Sequence, residues 1–231
     1  MFIGHYAPAL IAAACPKAPR LGALFVAAQL VDFAFFGFVA LGIEHARLVP
    51  GSTVMNALDL YDMRYTHSLA GTLLFALAWL AVARLAGSAW VTAMIGAAVV
   101  ASHWFLDLLV HAPDLTIAGS GSRYGFALWN HPMIEMPLEI ALTAAALGFY
   151  LVRTRPHGRA GILAPSILAT ALAFVQVINW AEPQPDRVID PAPLAQSLLA
   201  LAVAVFTALA LLAAWTGRSR IPRLGPRLRT L

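Results

Sequence analysis

The chain contains 231 residues, of which 61% are hydrophobic and 11% are charged, and its formal net charge is +4 at pH 7. Soluble domains carry about 25% charged residues, so this composition excludes an ordinary soluble globular protein, and its high hydrophobicity excludes a disordered chain. The single cysteine, Cys15, excludes an internal disulfide bond and any cysteine-rich zinc module. The sequence therefore predicts an integral membrane protein whose main partner is the lipid bilayer.

Long apolar segments predict an all-α fold, a polytopic membrane bundle of about six long helices and one short N-terminal helix. A spanning helix needs about 20 mainly apolar residues. The short helix is predicted at Phe2–Cys15, which ends before Pro16. The six longer segments, of which the fourth is the shortest, are Leu21–Ile43, His67–Ala86, Ser88–His111, Met136–Val152, Ile162–Trp180 and Ala195–Trp215.

The distribution of charge predicts how the bundle is oriented. Eleven of the 15 lysine and arginine residues fall in segments that would share one side, namely Lys17, Arg20, Arg84, Arg153, Arg155, Arg159, Arg218, Arg220, Arg223, Arg227 and Arg229. The positive-inside rule makes that side cytoplasmic. We therefore expect a multi-pass protein of a bacterial-type inner (plasma) membrane with a cytoplasmic C-terminus. We expect the positive charge to interact with anionic lipid. We expect no nucleic-acid partner, because the basic tail carries no aromatic platform on which bases could stack.

One predicted span, Ser88–His111, carries three ionisable residues on a single face. His103, Asp107 and His111 follow at i, i+4 and i+8, so they line one side of a helix. His103 falls just past the middle of the span, where an ionisable side chain is costly and indicates a functional site. A histidine and an aspartate one turn apart can contribute two ligands to a metal. The alternative is a structural hydrogen-bonded pair that joins neighbouring helices.

Three other segments supply possible partners for this face. Asp32 lies in the middle of an apolar span, where a carboxylate must be neutral, paired or bound to a cation. His67 opens the third predicted helix directly after Thr66, which could cap that helix, and His5 lies near the start of the chain, at the short first helix. Mixed histidine and carboxylate ligands suit a divalent metal, and zinc is the expected ion. We expect these side chains to meet in one cavity in the outer half of the bilayer.

The order of these motifs also resembles a known family. The motifs are Gly4-His5, Asp32 on the next helix, Thr66-His67-Ser68 and Ser102-His103-x-x-x-Asp107. In this order they resemble the YdjM-like family of inner-membrane metal-dependent hydrolases, which is distantly similar to zinc-dependent phospholipase C. The resemblance implies five metal ligands: His5, Asp32, His67, His103 and Asp107. The family often has a second acid soon after the first, whereas Phe33 and Ala34 follow Asp32 here, so the number of metals stays open.

The resemblance also implies a division of the chain. It covers residues 1–152, which would form the metal-site helical membrane domain. Residues 153–217 would add two transmembrane helices, and residues 218–231 would form a basic cytoplasmic tail.

Further acids and histidines cluster in the predicted outer loops. The candidate catalytic residues are Glu44, His45, Asp59, His111 and Glu139. Each could act as a general base, as a hydrogen-bond partner of a ligand histidine, or as a ligand of a second metal. The same roles stay open for Asp62, Asp114, His131 and Glu135, and a solvated interfacial residue is the alternative for every one of them.

These residues lead to a first hypothesis and two alternatives. The first hypothesis is a metal-dependent hydrolase that uses metal-activated water on a phosphoester or lipid-linked substrate from the outer side. Arg64 or Arg123 could neutralise phosphate charge. The second is a transporter or ion-binding protein that uses the same cluster, although such a protein should carry ionisable residues through its full depth. The third is a haem-binding electron carrier, which needs paired axial histidines on facing helices.

Overall fold

The computed structural model describes residues 1–190 and 195–223 of the chain. Helices dominate these residues, and the predicted all-α membrane-type bundle is confirmed. The helices are α1 (Tyr6–Ala13), α2 (Leu21–Ala28), α3 (Leu30–Ala40), α4 (Leu69–Leu85), α5 (Trp90–Val110), α6 (Pro132–Arg153), α7 (Ala160–Ala181) and α8 (Ala195–Arg218).

The lengths of the helices identify the candidate membrane spans. Four helices, α5 to α8, are each long and apolar enough to cross a membrane. α2 and α3 together make a fifth candidate span, although they are bent by 48° relative to each other. α1, with the short 3-10 turn before it, and α4 are shorter apolar helices. The protein is therefore a membrane protein, and which side of the membrane each end faces stays a prediction.

The predicted span Leu21–Ile43 is not one continuous helix. It breaks at Gln29, whose backbone leaves the helical region with φ −106° and ψ 9°. The Gln29 side chain is fully buried, and its amide donates a hydrogen bond to the carbonyl of Phe2 at 3.4 Å. After the bend, α3 packs mainly against α8 and also contacts α4 and α5.

Two other helix boundaries differ from the sequence-based prediction. α4 begins at Leu69, because the Ser68 hydroxyl caps it by accepting a hydrogen bond from the Gly71 amide at 3.0 Å. Thr66 is therefore not the cap, and His67 lies in the preceding loop. α6 has 22 residues and is longer than predicted. It starts at Pro132 because proline is favoured at the first helical position, and its first two turns bury Glu135 and Glu139 inside the bundle.

In the described part of the chain, three short antiparallel strand pairs, which the apolar pattern did not predict, join the helix ends. They are β1 (His45–Leu48) with β2 (Leu58–Asp62), β3 (Leu115–Thr116) with β4 (Arg123–Tyr124), and β5 (Thr154–Pro156) with β6 (Arg220–Pro222). The last pair joins the segment after α6 to the segment after α8. The two basic segments therefore lie at one end of the bundle, as the charge distribution requires.

The core of the bundle is apolar and is shared by both predicted halves of the chain. Tyr6 and Phe25 stack with ring centroids 4.3 Å apart, and α8 packs along α2 and α3. A Cβ atom added to Gly22 would lie 2.6 Å from the Cβ of Ala214, so glycine is needed at this crossing. Residues 153–217 thus pack directly on the first 152 residues. Of the predicted basic tail, residues 224–231 lie outside the described residues.

Candidate metal centre

Four separate segments bring the five predicted ligands together. His5 ends the 3-10 turn before α1, Asp32 lies on α3, His67 precedes α4, and His103 and Asp107 lie one turn apart on α5. His5 Nε2 lies 3.0 Å from Asp107 Oδ1, and His103 Nε2 lies 3.0 Å from Asp107 Oδ2. Asp32 Oδ1 lies 3.4 Å from His67 Nε2 and 3.5 Å from His103 Nε2. We call these five residues the His/Asp cluster.

The His/Asp cluster contains two overlapping groups that could each hold a metal ion. One is His5, His103 and Asp107, and the other is Asp32, His67 and His103. Within each group, one potential ligand atom per residue lies within 4.8 Å of the others. His103 belongs to both groups. Asp32 is the most open member, with 20% of its side chain exposed, whereas the other four are buried.

The hydrogen bonding of the cluster histidines fits a metal-ligating role. The carbonyl of Ala28 accepts a hydrogen bond from His103 Nδ1 at 3.0 Å. Because a carbonyl can only accept, Nδ1 carries the proton, and Nε2 of the neutral ring keeps the lone pair that a metal needs. Among the described residues, His103 Nε2, Asp107 Oδ2 and His5 Nδ1 are buried without a hydrogen bond, although His103 Nε2 and Asp107 Oδ2 lie only 3.0 Å apart. Such orphaned atoms, with this mixture of ligand types, suit a divalent cation such as zinc.

Asp107 is the centre of the cluster. Its Oδ1 also lies 3.1 Å from the amino nitrogen of Met1 and 3.6 Å from His111 Nε2. The His5 and His103 rings stack almost in parallel, with centroids 3.9 Å apart. This packing restricts the rings and presents their Nε2 atoms to the same carboxylate. The i, i+4 spacing on α5 is therefore only the local part of an arrangement that the other segments complete.

Glu44, a candidate catalytic residue, orients His67 through a threonine. Glu44 is fully buried, and its carboxylate accepts hydrogen bonds from the Tyr65 and Thr66 amides at 2.7 and 2.9 Å. The Thr66 hydroxyl donates to Glu44 Oε2 at 2.6 Å and lies 2.9 Å from His67 Nδ1. A hydroxyl has one proton to donate, so Thr66 must accept from His67 Nδ1. That contact leaves the lone pair of His67 on Nε2, which faces Asp32.

Thr66→Val should therefore weaken metal binding while leaving the protein folded. Loss of the outer partner of a ligand histidine typically lowers metal affinity about 10–100-fold. Thr143→Val is the matched control, because Thr143 is also buried but its hydroxyl makes no hydrogen bond among the described residues. Competition with a fluorescent zinc chelator measures both affinities. Equal affinity of the two variants would contradict the proposed role of Thr66.

Glu139, another candidate catalytic residue, holds the segment that carries His5. Its Oε1 accepts hydrogen bonds from the backbone amides of Phe2 at 2.6 Å and Gly4 at 2.9 Å. Its Oε2 accepts from the side-chain amide of Gln176 at 2.7 Å. Glu139 is thus a positioning residue, and Gln176 is a participant that the sequence analysis missed. Gln176 carries a polar amide within a mainly apolar span, and that is the signal that could have identified it.

His111 lies at the edge of the cluster and connects it to a small polar pocket. Its Nδ1 lies 3.0 Å from Asp114 Oδ1, and its ring packs on Trp129 at a centroid distance of 4.4 Å. The pocket has a volume of about 80 Å³ and is lined by Tyr61, Asp62, Met63, Arg64, Asp114, Thr116, Gly119 and Arg123. Asp114 therefore touches both His111 and a pocket that carries two arginines.

The candidates His45 and Asp59 lie on the β1–β2 hairpin and pair with their neighbours. His45 Nδ1 lies 2.9 Å from Asp62 Oδ2, and Arg47 Nε donates to Asp59 at 2.6 Å. Partial burial opposes ionisation of Asp62, but hydrogen bonds from Arg64 and His45 lower its pKa below the usual value. Within the described residues, no contact joins His45 or Asp59 to the His/Asp cluster.

Glu135 is a second buried acid near the cluster. It lies one turn before Glu139 on α6, and neither of its carboxylate oxygens has a hydrogen-bond partner among the described residues. The two acids, which lie one turn apart at the start of α6, are therefore in different environments. Glu139 is fully hydrogen-bonded, whereas Glu135 is not.

Comparisons with protein-family models, with curated proteins and with solved structures found no match for this chain. The resemblance to the YdjM-like hydrolases therefore stays a prediction.

Proposed function

We propose that this protein is a membrane-embedded, metal-dependent hydrolase of the kind that the YdjM-like resemblance implies. The observation that carries the proposal is the convergence of three histidines and two aspartates from four segments on a buried point with orphaned ligand atoms. A divalent cation, with zinc expected, would supply Lewis-acid polarisation of the scissile bond and activation of a water molecule. His5, Asp32, His67, His103 and Asp107 would hold it.

The residues around the cluster support hydrolysis of a phosphoester or a related anionic ester. Arg64 and Arg123 line the polar pocket beside Asp114, and guanidinium groups match phosphate oxygens. Asp114 contacts His111, which in turn lies 3.6 Å from Asp107. A phosphate group at the arginines would thus be separated from the cluster by two side chains. The partial exposure of Asp32 offers water a route to the reacting centre.

The distribution of buried charge favours the hydrolase over the transporter alternative. Among the described residues, the buried acids and histidines are His5, Glu44, His67, His103, Asp107, His111, Glu135 and Glu139. All lie at the cluster or on its predicted outer side. The first turns of α5, from Trp90 to Val99, contain no charged residue. A cation moving toward the other end would lose its hydration without finding ligands.

Chelator-sensitive hydrolysis is the expected result that tests this proposal. The purified protein in proteoliposomes should cleave at least one member of a panel of phosphomonoesters, phosphodiesters and phospholipids. Activity should disappear with a strong chelator and return with added zinc. Asp32→Asn should lower the rate at least about tenfold, whereas Asp186→Asn, an exposed acid outside the cluster, should retain it.

The same proteoliposomes distinguish the two functions. The hydrolase should carry no zinc or proton flux above that of protein-free vesicles. Zinc flux that Asp32→Asn abolishes, together with no hydrolysis across the panel, would contradict the enzyme and support the transporter.

A further inference from the structure

A groove between α2, α3 and α8 lies outside the His/Asp cluster. Its volume is about 760 Å³, and it is lined by Arg20, Gly22, Ala23, Val26, Phe33, Thr207, Ala210, Leu211, Ala214, Gly217 and Arg218. We propose that this groove binds one anionic phospholipid, with its phosphate at Arg20 and Arg218 and an acyl chain along α8. The proposal does not depend on the hydrolase, because no member of the His/Asp cluster lines the groove.

The dimensions of the groove match one leaflet of a bilayer. Its lining residues on α8 run from Thr207 to Arg218, and 11 residues of helix rise about 16 Å. The hydrocarbon core of a bilayer is about 30 Å thick, so the groove extends from the membrane surface to near the midplane. Phe33 lines the groove and packs edge-on against Phe206 at a centroid distance of 5.0 Å. The length of the groove therefore matches the thickness of the hydrocarbon layer of one leaflet.

The two arginines give the groove a charge at one end only. Arg20 immediately precedes α2, and Arg218 is the last residue of α8. Both guanidinium groups are exposed, and neither forms an ion pair with a carboxylate in residues 1–190 and 195–223. Their helices meet here, because a Cβ added to Gly217 would lie 3.1 Å from the Cβ of Leu21. Two unpaired arginines beside the N-terminus of α2 make an anion site.

The remainder of the groove is suited to hydrocarbon. Between the arginines and Phe33, its walls are mainly alanine, valine, leucine and glycine. The small residues form a channel and add no polar group except the Thr207 hydroxyl. A soluble phosphate would leave this apolar length uncovered, whereas a phospholipid would fill both parts. The predicted cytoplasmic location of the arginine end agrees with binding of an anionic phospholipid, because the cytoplasmic leaflet carries anionic lipid.

Native mass spectrometry of the full chain in detergent tests the site. With phosphatidylglycerol and phosphatidylcholine of identical acyl chains, we expect one phosphatidylglycerol to be retained at least about tenfold more than phosphatidylcholine. Arg20→Gln/Arg218→Gln should abolish that preference. Arg155→Gln/Arg159→Gln is the matched control, since it removes the same charge at the same end of the bundle and should retain the preference. Ala23→Phe should lower retention by filling the groove.

Three results would overturn the proposal. They are equal retention of the two lipids by the native chain, an unchanged preference in Arg20→Gln/Arg218→Gln, and an equal loss in both double variants. The comparison of the two lipids on the native chain stands without any variant, so misfolding of a variant does not remove the test.

Discussion

His103→Ala should remove bound metal from the purified protein while leaving it inserted in the membrane. His103 belongs to both potential metal-binding groups, and its Nε2 is a buried atom without a hydrogen bond. Loss of an outer partner of a metal ligand costs about 10–100-fold in affinity, so loss of His103, a proposed direct ligand, should cost more than about 100-fold. Asp107→Asn should have a similar effect, because Asp107 lies within 3.7 Å of four histidines.

Elemental analysis of the purified variants gives the metal content directly. His157→Ala is the control, because His157 is exposed and lies outside the His/Asp cluster. It should keep the native metal content. Full occupancy in both His103→Ala and Asp107→Asn would instead support the alternative interpretation, in which histidine and aspartate form a structural pair between helices.

Glu139→Leu should reduce both the thermal stability of the protein and its metal content. The substitution leaves three donors without an acceptor: the partly buried amide of Phe2, the buried amide of Gly4 and the buried side chain of Gln176. Each unsatisfied buried donor costs about 1–3 kcal/mol. The expected loss in the free energy of unfolding is therefore several kcal/mol. Metal content should fall as well, because Glu139 holds the segment that presents His5.

Glu139→Gln separates the contribution of the hydrogen bonds from that of the charge. Glutamine keeps one oxygen acceptor and nearly the same volume, so its loss of stability should be clearly smaller than that of leucine. Glu182→Gln, at an exposed position after α7, should leave the melting temperature unchanged. Thermal unfolding in detergent, followed by elemental analysis, measures both effects. A Glu139→Leu protein with native stability and native metal content would contradict the role assigned to Glu139.

The bundle was predictable because the membrane imposes its own requirement on the sequence. Hydrocarbon cannot satisfy backbone hydrogen bonds, so an apolar segment of sufficient length must become a helix. Composition and the length of the apolar segments therefore predicted the all-α membrane class. The break at Gln29 was not predictable in this way, because the residues on both sides of it are equally apolar. It coincides with contacts to Phe2 and the other segments that meet near residue 29.

In the candidate site, too, the local features were predictable from the sequence and the contacts between distant segments were not. The spacing of His103 and Asp107 determined that they share a helix face, because the helical period is a local property. The approach of His5, Asp32 and His67 to that face was only an expectation until the tertiary structure brought the four segments together. The hydrogen bonds of Glu44 through Thr66, and of Glu139 to Gln176, join residues 22 and 37 positions apart in the chain.

By itself, the sequence determined the membrane-helical class and most of the span positions. It also identified the ionisable residues within the spans, whose burial in a bilayer is energetically costly and indicates a functional site. The tertiary structure decided which of those residues contact one another, which partners the ring nitrogens of His67 and His103 face, and that Arg20 and Arg218 line the same groove. The reason is physical: burial of apolar surface follows local patterns of the chain, whereas a hydrogen bond or a shared ligand point depends on the packing of distant segments to within an ångström.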